Sequence, residues 1–541
     1  MKNLNRNLPS ANNNQFAMVT RSDVPRSTFP MQWTHKAAFD GNKLIPITVE
    51  EVLPGDHWQG RVTMFARLAN LLFPLMDNIE LESFFFFVPC RLVWSNWEKF
   101  MGEQNNPADS INYAIPVQTS PTGGWAINTL HDYMGIPTAG QTLAGNTITI
   151  NTLPFRAYYL IFNEWFRDED LTDSASFATG DGPDGNNWPI QVSSKKHDYF
   201  TSCRPWPLKG GTQVPLPLAG IVSVNPTTNS IGPVFKKGAG PTPTLNLQTS
   251  NASSPAGIQG SVSSPWATGD TLNWATTNLQ VDLSTATGPT LNAFRLAVAT
   301  QQLLEKDARG GTRYTELLRN HFGVTPDDAR LQRPEYIGGG RSRLDTQAIP
   351  QTSATGLTGG TTPAGSLSAQ SVAADQHHFS YHATEHGYIL GIVRARGDQT
   401  YQNGLRRLWK RTTRYDFYMP VFANLGEQSV YNYEIYSDGS ANDALTFGYQ
   451  ERWAEYRYRP SSLAGNFKSR NAGTIDPWHL AINFASLPAL NNSFIQDATP
   501  FSRVLAAGTG ANNMQFLFDS FWDVKVTRAM PVRSIPGLTR F

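Results

Sequence analysis

The spacing with the most chemical promise is His382-Ala383-Thr384-Glu385-His386, the H-x-x-E-H order of inverted zinc peptidases. On a helix, both imidazoles would share one face and could bind Zn²⁺, leaving Glu385 as general base. The flanking residues oppose a helix. Gly387 follows at once and opens the apolar run Tyr388-Ile389-Leu390-Gly391-Ile392-Val393, which reads as a buried strand. Residues four apart in a strand are about 13 Å from each other, too far to share a metal. The zinc reading therefore lacks its context.

Other catalytic templates fail sooner. Gly338-Gly339-Gly340 is followed by Arg341-Ser342 and not by a Lys-Ser/Thr pair, so no phosphate-cradling loop is written there. Asp181-Gly182-Pro183-Asp184-Gly185-Asn186 lacks the alternate-position spacing of a calcium loop and reads as a surface turn. Cys90 and Cys203 have no C-x-x-C partner and read as buried, reduced thiols. No G-x-S-x-G elbow and no H-E-x-x-H is present. The sequence thus nominates no catalytic, cofactor-binding or metal residue, and predicts no enzyme and no cofactor.

The strongest charge feature is different in kind. Arg394, Arg396, Arg406, Arg407, Lys410, Arg411 and Arg414 face only Asp398 within 21 residues, with Tyr401, Trp409 and Tyr415 interleaved or adjacent. Cations that track a backbone, with aromatics for stacking, suit single-stranded nucleic acid. The competing reading is that these arginines pair with carboxylates of a neighbouring subunit, such as Glu451 and Glu455. Lys2 and Arg6 add cations to an N-terminal stretch without periodicity, residues 1–30, read as an extended arm.

The elements that must carry these residues are mostly strands. In 541 residues, 40% are apolar and 11% aromatic, only 16% are charged, and Gly and Pro number 44 and 36. Such a chain can bury a core, and its short segments, punctuated by turn residues, suggest an all-β body with long loops. No apolar run approaches the length of a membrane span, and no secretory h-region opens the chain. Leu44–Val49, Val62–Leu72, Ile79–Val88, Tyr388–Val393 and Arg414–Pro420 read as strands. Near the end, Phe516, Phe518, Trp522, Val524 and Val526 alternate with Asp519, Asp523, Lys525 and Thr527, a strand with one wet face. Phe84-Phe85-Phe86-Phe87-Val88 has no alternation, so both of its faces should be buried, one by a second sheet and one by an insertion. Helices are predicted over Pro154–Asp170, Pro289–Lys306 and Thr312–Asn320. Residues 211–290 hold four charges, and 46 of those 80 are Gly, Pro, Ser, Thr or Asn. Trp266 and Trp274 favour an ordered, β-rich excursion on an exterior surface. A second uncharged loop spans 351–374.

Several long blocks then resemble the major capsid protein of gokushoviruses, small icosahedral single-stranded DNA phages of the Microviridae. They include Phe73-Pro74-Leu75-Met76-Asp77-Asn78, the Phe84–Pro89 block, Arg91-Leu92-Val93-Trp94, Leu153-Pro154-Phe155-Arg156-Ala157-Tyr158 and Phe162-Asn163-Glu164-Trp165-Phe166-Arg167-Asp168. His197-Asp198-Tyr199-Phe200-Thr201-Ser202-Cys203, Asp307-Ala308-Arg309-Gly310-Gly311-Thr312-Arg313-Tyr314, Gly448-Tyr449-Gln450-Glu451-Arg452 and Met530-Pro531-Val532 continue it. The similarity lapses in 204–290 and 351–376.

The resemblance implies a mainly β fold, an eight-stranded antiparallel viral jelly roll over residues 31–541, with long insertions carrying short helices. It implies a homo-oligomeric T=1 icosahedral shell around circular single-stranded DNA. It also makes 204–290, with Trp266 and Trp274, a threefold surface protrusion toward a host receptor, and 351–376 a polar loop. Net charge is +1, so copies of the chain cannot offset the genome's phosphates; a small basic DNA-binding peptide is expected beside it. Scaffolding and pilot proteins are the further partners implied. Particles would be assembled in the host bacterial cytoplasm, without membrane insertion. The alternative is a jelly-roll carbohydrate-binding attachment protein, which would form soluble trimers.

Overall fold

A computed structural model describes residues 25–104, 113–210, 290–310, 314–324, 332–350, 352, 365–506 and 514–533, and the backbone of seven short strands within 211–289. Eight long strands build the main body: β1 (Arg26–Phe39), β2 (Ile45–Val52), β3 (His57–Leu71), β4 (Ile79–Pro89), β5 (Glu335–Arg343), β6 (Leu367–His382), β7 (Gly387–Gly397) and β8 (Phe516–Ala529). Their order is β1-β8-β3-β6-β5-β4-β7-β2, every pairing is antiparallel, and a short strand, Asp345–Pro350, pairs with β6. Four strands, β1-β8-β3-β6, make one face and β5-β4-β7-β2 the other. The two faces join where Gly338 of β5 meets Phe379 of β6. This is the two-sheet jelly roll, an architecture that leaves few exposed edges.

The alternation read at the end of the chain is the pattern of β8: Phe516, Phe518, Trp522, Val524 and Val526 are buried between the sheets. They meet Val62, Met64 and Leu68 of β3, Phe85 and Phe87 of β4, and Ile389 and Val393 of β7. Strand β4 is buried on both faces, as its unbroken phenylalanine run requires. Phe85 and Phe87 point into the core between the sheets, whereas Phe86 and Val88 enter a second core. That core is closed by α1 (Leu153–Ile161), which starts with Pro154 in its first turn and continues into a π-helical turn, Phe162–Phe166.

Three sequence readings are corrected. The polar loop read over 351–376 is strand from Leu367 onward, where β6 pairs with Asp345–Pro350 and with β3. Arg414–Pro420 is not a strand: it forms a 3₁₀ turn, Arg414–Asp416, and leads to another, Pro420–Phe422. The Asp416 carboxylate accepts from the backbone N–H groups of Thr412 and Thr413 at 3.0 and 2.8 Å, which bends the chain where the pattern suggested extension. The predicted arm also ends too late, because residues 26–30 already belong to β1 and pair with 525–529 of β8. Lys2 and Arg6 lie outside the described residues.

A second compact unit spans Leu208–Gly310. It contains α2 (Leu291–Arg309), capped by the Thr290 hydroxyl, which accepts from the Ala293 N–H at 3.1 Å. Its short strands pair locally: Leu272–Trp274 with Phe235–Lys237, and Leu279–Val281 with Val224–Pro226. Trp274 stands opposite Phe235 in that register, while Trp266 lies outside the described residues. A third helix, α3 (Tyr314–Phe322), follows this unit in the chain.

Candidate nucleic-acid interface

The zinc-like motif is a hairpin corner. His382 ends β6, residues 383–386 turn the chain, and Gly387 begins β7. Glu385 is held bidentately by Arg91, with Nε to Oε2 at 2.7 Å and Nη2 to Oε1 at 3.2 Å. His382 lies beside His57, and His386 lies edge-on to Trp97. The two imidazoles thus have different neighbours, and the carboxylate is already committed to a guanidinium.

A serine–histidine–aspartate constellation that the sequence reading missed lies between β4, β5 and β6. The Ser83 hydroxyl is 2.5 Å from His377 Nδ1, the Ser342 hydroxyl is 3.1 Å from Nε2, and Ser342 donates to Asp375 at 2.9 Å. Ser83, His377 and Ser342 are all buried. Gly340 is packed so closely that a Cβ there would overlap the His377 ring. Burial lowers the imidazole pKa, so the ring is neutral. The group satisfies polar atoms inside a sheet and offers no approach to a substrate. Only the fold, which brings positions 83, 342 and 377 together, reveals it.

Cys90 and Cys203 are free and buried. Burial pushes the Cys90 thiol up to about 12 and Cys203 higher still, so neither is a ready nucleophile.

The basic stretch divides into two parts with different environments. Arg394 and Arg396 sit on β7, opposite Glu82 and Glu80 of β4. The Glu82 carboxylate accepts from Arg394 Nε at 2.7 Å and Arg396 Nη2 at 2.8 Å, and Arg341 of β5 adds a third guanidinium at 3.2 Å. Arg394 also lies 5.1 Å over the Phe84 ring. Both arginines are buried, at 8% and 7% exposure. Burial works to raise the Glu82 pKa, but the charges and hydrogen bonds of Arg394 and Arg396 outweigh it and leave the pKa below its ordinary value. These two cations are therefore engaged within the chain, sharing one carboxylate.

The second part leaves the sheet. After β7 the chain forms a 3₁₀ turn, Arg407–Lys410, and then the Arg414–Asp416 turn. Arg407 is 3.7 Å from Glu434, and Arg411 is 3.1 Å from Glu455. Glu455 is thus paired inside the same chain, and Glu451 is bound by Arg457. Arg406, Lys410 and Arg414 are exposed. Beside them Trp409 is 70% and Tyr415 69% exposed, unusual for side chains of that size. Cations and rings alternate on an open surface, the arrangement that stacks bases and neutralises phosphates.

A cavity of about 300 Å³ lies behind this turn, lined by Tyr199, Tyr401, Arg407, Arg411, Tyr456 and Tyr458 among others. Tyr199 and Tyr458 are stacked with centroids 5.5 Å apart. The Tyr199 hydroxyl donates to Glu434 Oε2 at 3.0 Å. Burial raises the Glu434 pKa, although Arg407 opposes it. Elsewhere, Lys195 lies 4.2 Å over Phe494, and burial drops its ammonium to about 8. A lysine between Ser194 and Lys196 carries no sequence signal for that.

An antiparallel eight-strand jelly roll with long insertions is an architecture that viral shell proteins use. The chain belongs to the phage capsid protein (F protein) family, whose profile matches residues 17–538. It is 42% identical to capsid protein VP1 of Bdellovibrio phage phiMH2K, over 97% of this chain and 98% of that protein. It is 38% identical to capsid protein VP1 of Chlamydia phage 1, with 99% of each covered. Identity to capsid protein VP1 of Spiroplasma virus 4 is 34%, with 97% of each covered. The chain is thus a structural protein of a virion. Among the described residues, no helix is long and apolar enough to cross a membrane.

Proposed function

We propose that this chain is the non-enzymatic building unit of a T=1 icosahedral shell closed around circular single-stranded DNA. The segment 406–415 would contact that DNA. The observation that carries the DNA contact is the exposure of Arg406, Lys410 and Arg414 beside Trp409 and Tyr415, while their neighbours Arg407 and Arg411 are paired internally. A shell subunit presents different patches that meet head-to-tail and close around symmetry axes, and a net charge of +1 keeps like-charge repulsion between copies small. That neutrality leaves most genome phosphates to another cation, so a small basic DNA-binding peptide completes the reading. Residues 204–290, poor in charge and rich in Ser and Thr, would form the exterior protrusion toward a host receptor. Assembly in the bacterial cytoplasm with scaffolding and pilot proteins completes the proposal.

The test is genome retention in particles carrying Arg406→Glu with Arg414→Glu. Both side chains are exposed, so the subunit should fold and shells should form in electron micrographs. DNA release on heating should then begin at lower temperature and depend more steeply on salt. Double-variant particles that hold DNA as firmly as the parent would remove the DNA contact. Small soluble oligomers in place of uniform shells would remove the capsid geometry.

A further inference from the structure

We infer that the cavity behind the Arg407–Lys410 turn is a nucleotide site that takes one unstacked base of single-stranded DNA together with its phosphate. This rests on the DNA contact proposed for the same segment and names its binding pocket. The volume, about 300 Å³, is at the lower end of the roughly 300–1,000 Å³ of small-molecule sites, enough for one heterocycle and its attached group but not for a folded chain. The walls are tyrosines. Tyr199 and Tyr458 stack on each other, and Tyr456, half exposed at 51%, is also part of the lining.

The hydrogen-bond inventory says what kind of ligand is missing. Both carboxylates in the lining are satisfied from within the chain. Glu434 accepts from the Tyr199 hydroxyl and the Tyr431 N–H, and Glu455 accepts from Arg411 and from Gln428 at 2.6 Å. The donors are only partly used. Arg411 Nη1 donates to the Tyr456 hydroxyl at 2.6 Å and Nη2 to Glu455, while its Nε makes no hydrogen bond, and Arg407 Nη1 faces Glu434 at 3.7 Å, beyond hydrogen-bond reach. The Arg411 side chain is only 10% exposed. A buried N–H without an acceptor is destabilising, and the guanidinium group is built to take phosphate or carboxylate oxygens. With Arg406 and Lys468 also in the lining, four cations face two carboxylates. Filled acceptors and surplus positive charge in the lining select an anion, and the tyrosines beside them suit an aromatic one. A basic peptide would meet repulsion and no free carboxylate.

The experiment measures binding of a fluorescent thymidine decamer to the purified full-length subunit, beside an abasic decamer of equal charge. The parent should bind the thymidine decamer roughly 5- to 100-fold more tightly than the abasic one, the range stacking of one base provides. Tyr456→Ala should erase most of that difference, so that the two decamers bind nearly alike. A decamer carrying 5-iododeoxyuridine should photo-crosslink to Tyr456 or Tyr458. If Tyr456→Ala keeps the full preference, or the crosslinks map elsewhere, the pocket assignment is overturned while the DNA contact stands. If the parent binds neither decamer at low salt, the DNA contact itself fails and the pocket falls with it.

Discussion

Glu82 is the residue on which three guanidinium groups converge, and its removal should be more damaging than its single charge suggests. Arg394 and Arg396 are buried beside it, so Glu82→Gln leaves two cations in the sheet without their counter-charge. Breaking a buried pair in this way costs about 3–5 kcal/mol, to be read from denaturant unfolding of the unassembled subunit at pH 7. The pH dependence has a defined sign. Because the folded-state pKa of Glu82 lies below its ordinary value of 4.5, its contribution is fully present above that value and is lost as pH falls through the folded pKa. The parent should therefore lose stability steeply below about pH 4.5, and Glu82→Gln should show a shallower acid limb. An identical slope in both proteins would mean that other carboxylates govern acid unfolding. His377, whose pKa burial lowers, belongs to the same scale: its ring is held by two serine hydroxyls.

Strand β4 shows what a single element can and cannot disclose. Its run of phenylalanines, with no polar position between 84 and 88, announced burial on both faces, because any solvent-facing position would have invited a polar side chain. The sequence did not show which face meets which partner. Phe86 packs against Trp165, Phe166 and Tyr336 at centroid distances of 5.4, 5.9 and 5.6 Å, and Phe85 against Phe379 at 4.8 Å. Phe86→Ala should lower stability by about 3–5 kcal/mol through the cavity it leaves, measured by thermal or denaturant unfolding. A loss under about 1 kcal/mol would show that the insertion repacks. The Gly338-Gly339-Gly340 run lies in β5 where that strand passes between β4 and β6. A Cβ on Gly339 would overlap the Ser83 carbonyl oxygen, so Gly339→Val should give insoluble subunit, whereas Gly185→Ala, with open space around it, should leave yield and melting temperature unchanged. Local pattern misled at Arg414–Pro420, which reads as a strand in the sequence. The Asp416 side chain supplies backbone N–H groups with a local acceptor, and no neighbouring strand competes for them.

At the scale of the whole molecule, the jelly roll and the compact unit Leu208–Gly310 have opposite compositions. The former is dense in aromatics and buried charge; the latter contains the long stretch with only four charges. Replacing 211–290 by a short Gly-Ser linker should leave β1–β8 intact, because among the described residues none of their pairings involves that stretch. The shortened chain should form uniform shells in electron micrographs but fail to adsorb to host cells. If it stays soluble yet never assembles, the stretch is part of the shell itself. In the proposed shell, the net charge of +1 would let many copies approach while supplying little neutralisation of the enclosed DNA.

Five of the eight long strands, the doubly buried phenylalanine run, the helices begun near Pro154 and Pro289, and the family resemblance follow from residue order, because periodicity and capping act over a few positions. Tertiary structure alone decided which charges are free. Arg394 and Arg406 look alike in the sequence, yet one lies in a sheet opposite a glutamate more than three hundred positions earlier and the other stands in solvent. Pairing between strands is set by the packing of the whole chain, and whether a cation can meet DNA depends on which carboxylates that packing has already brought to it.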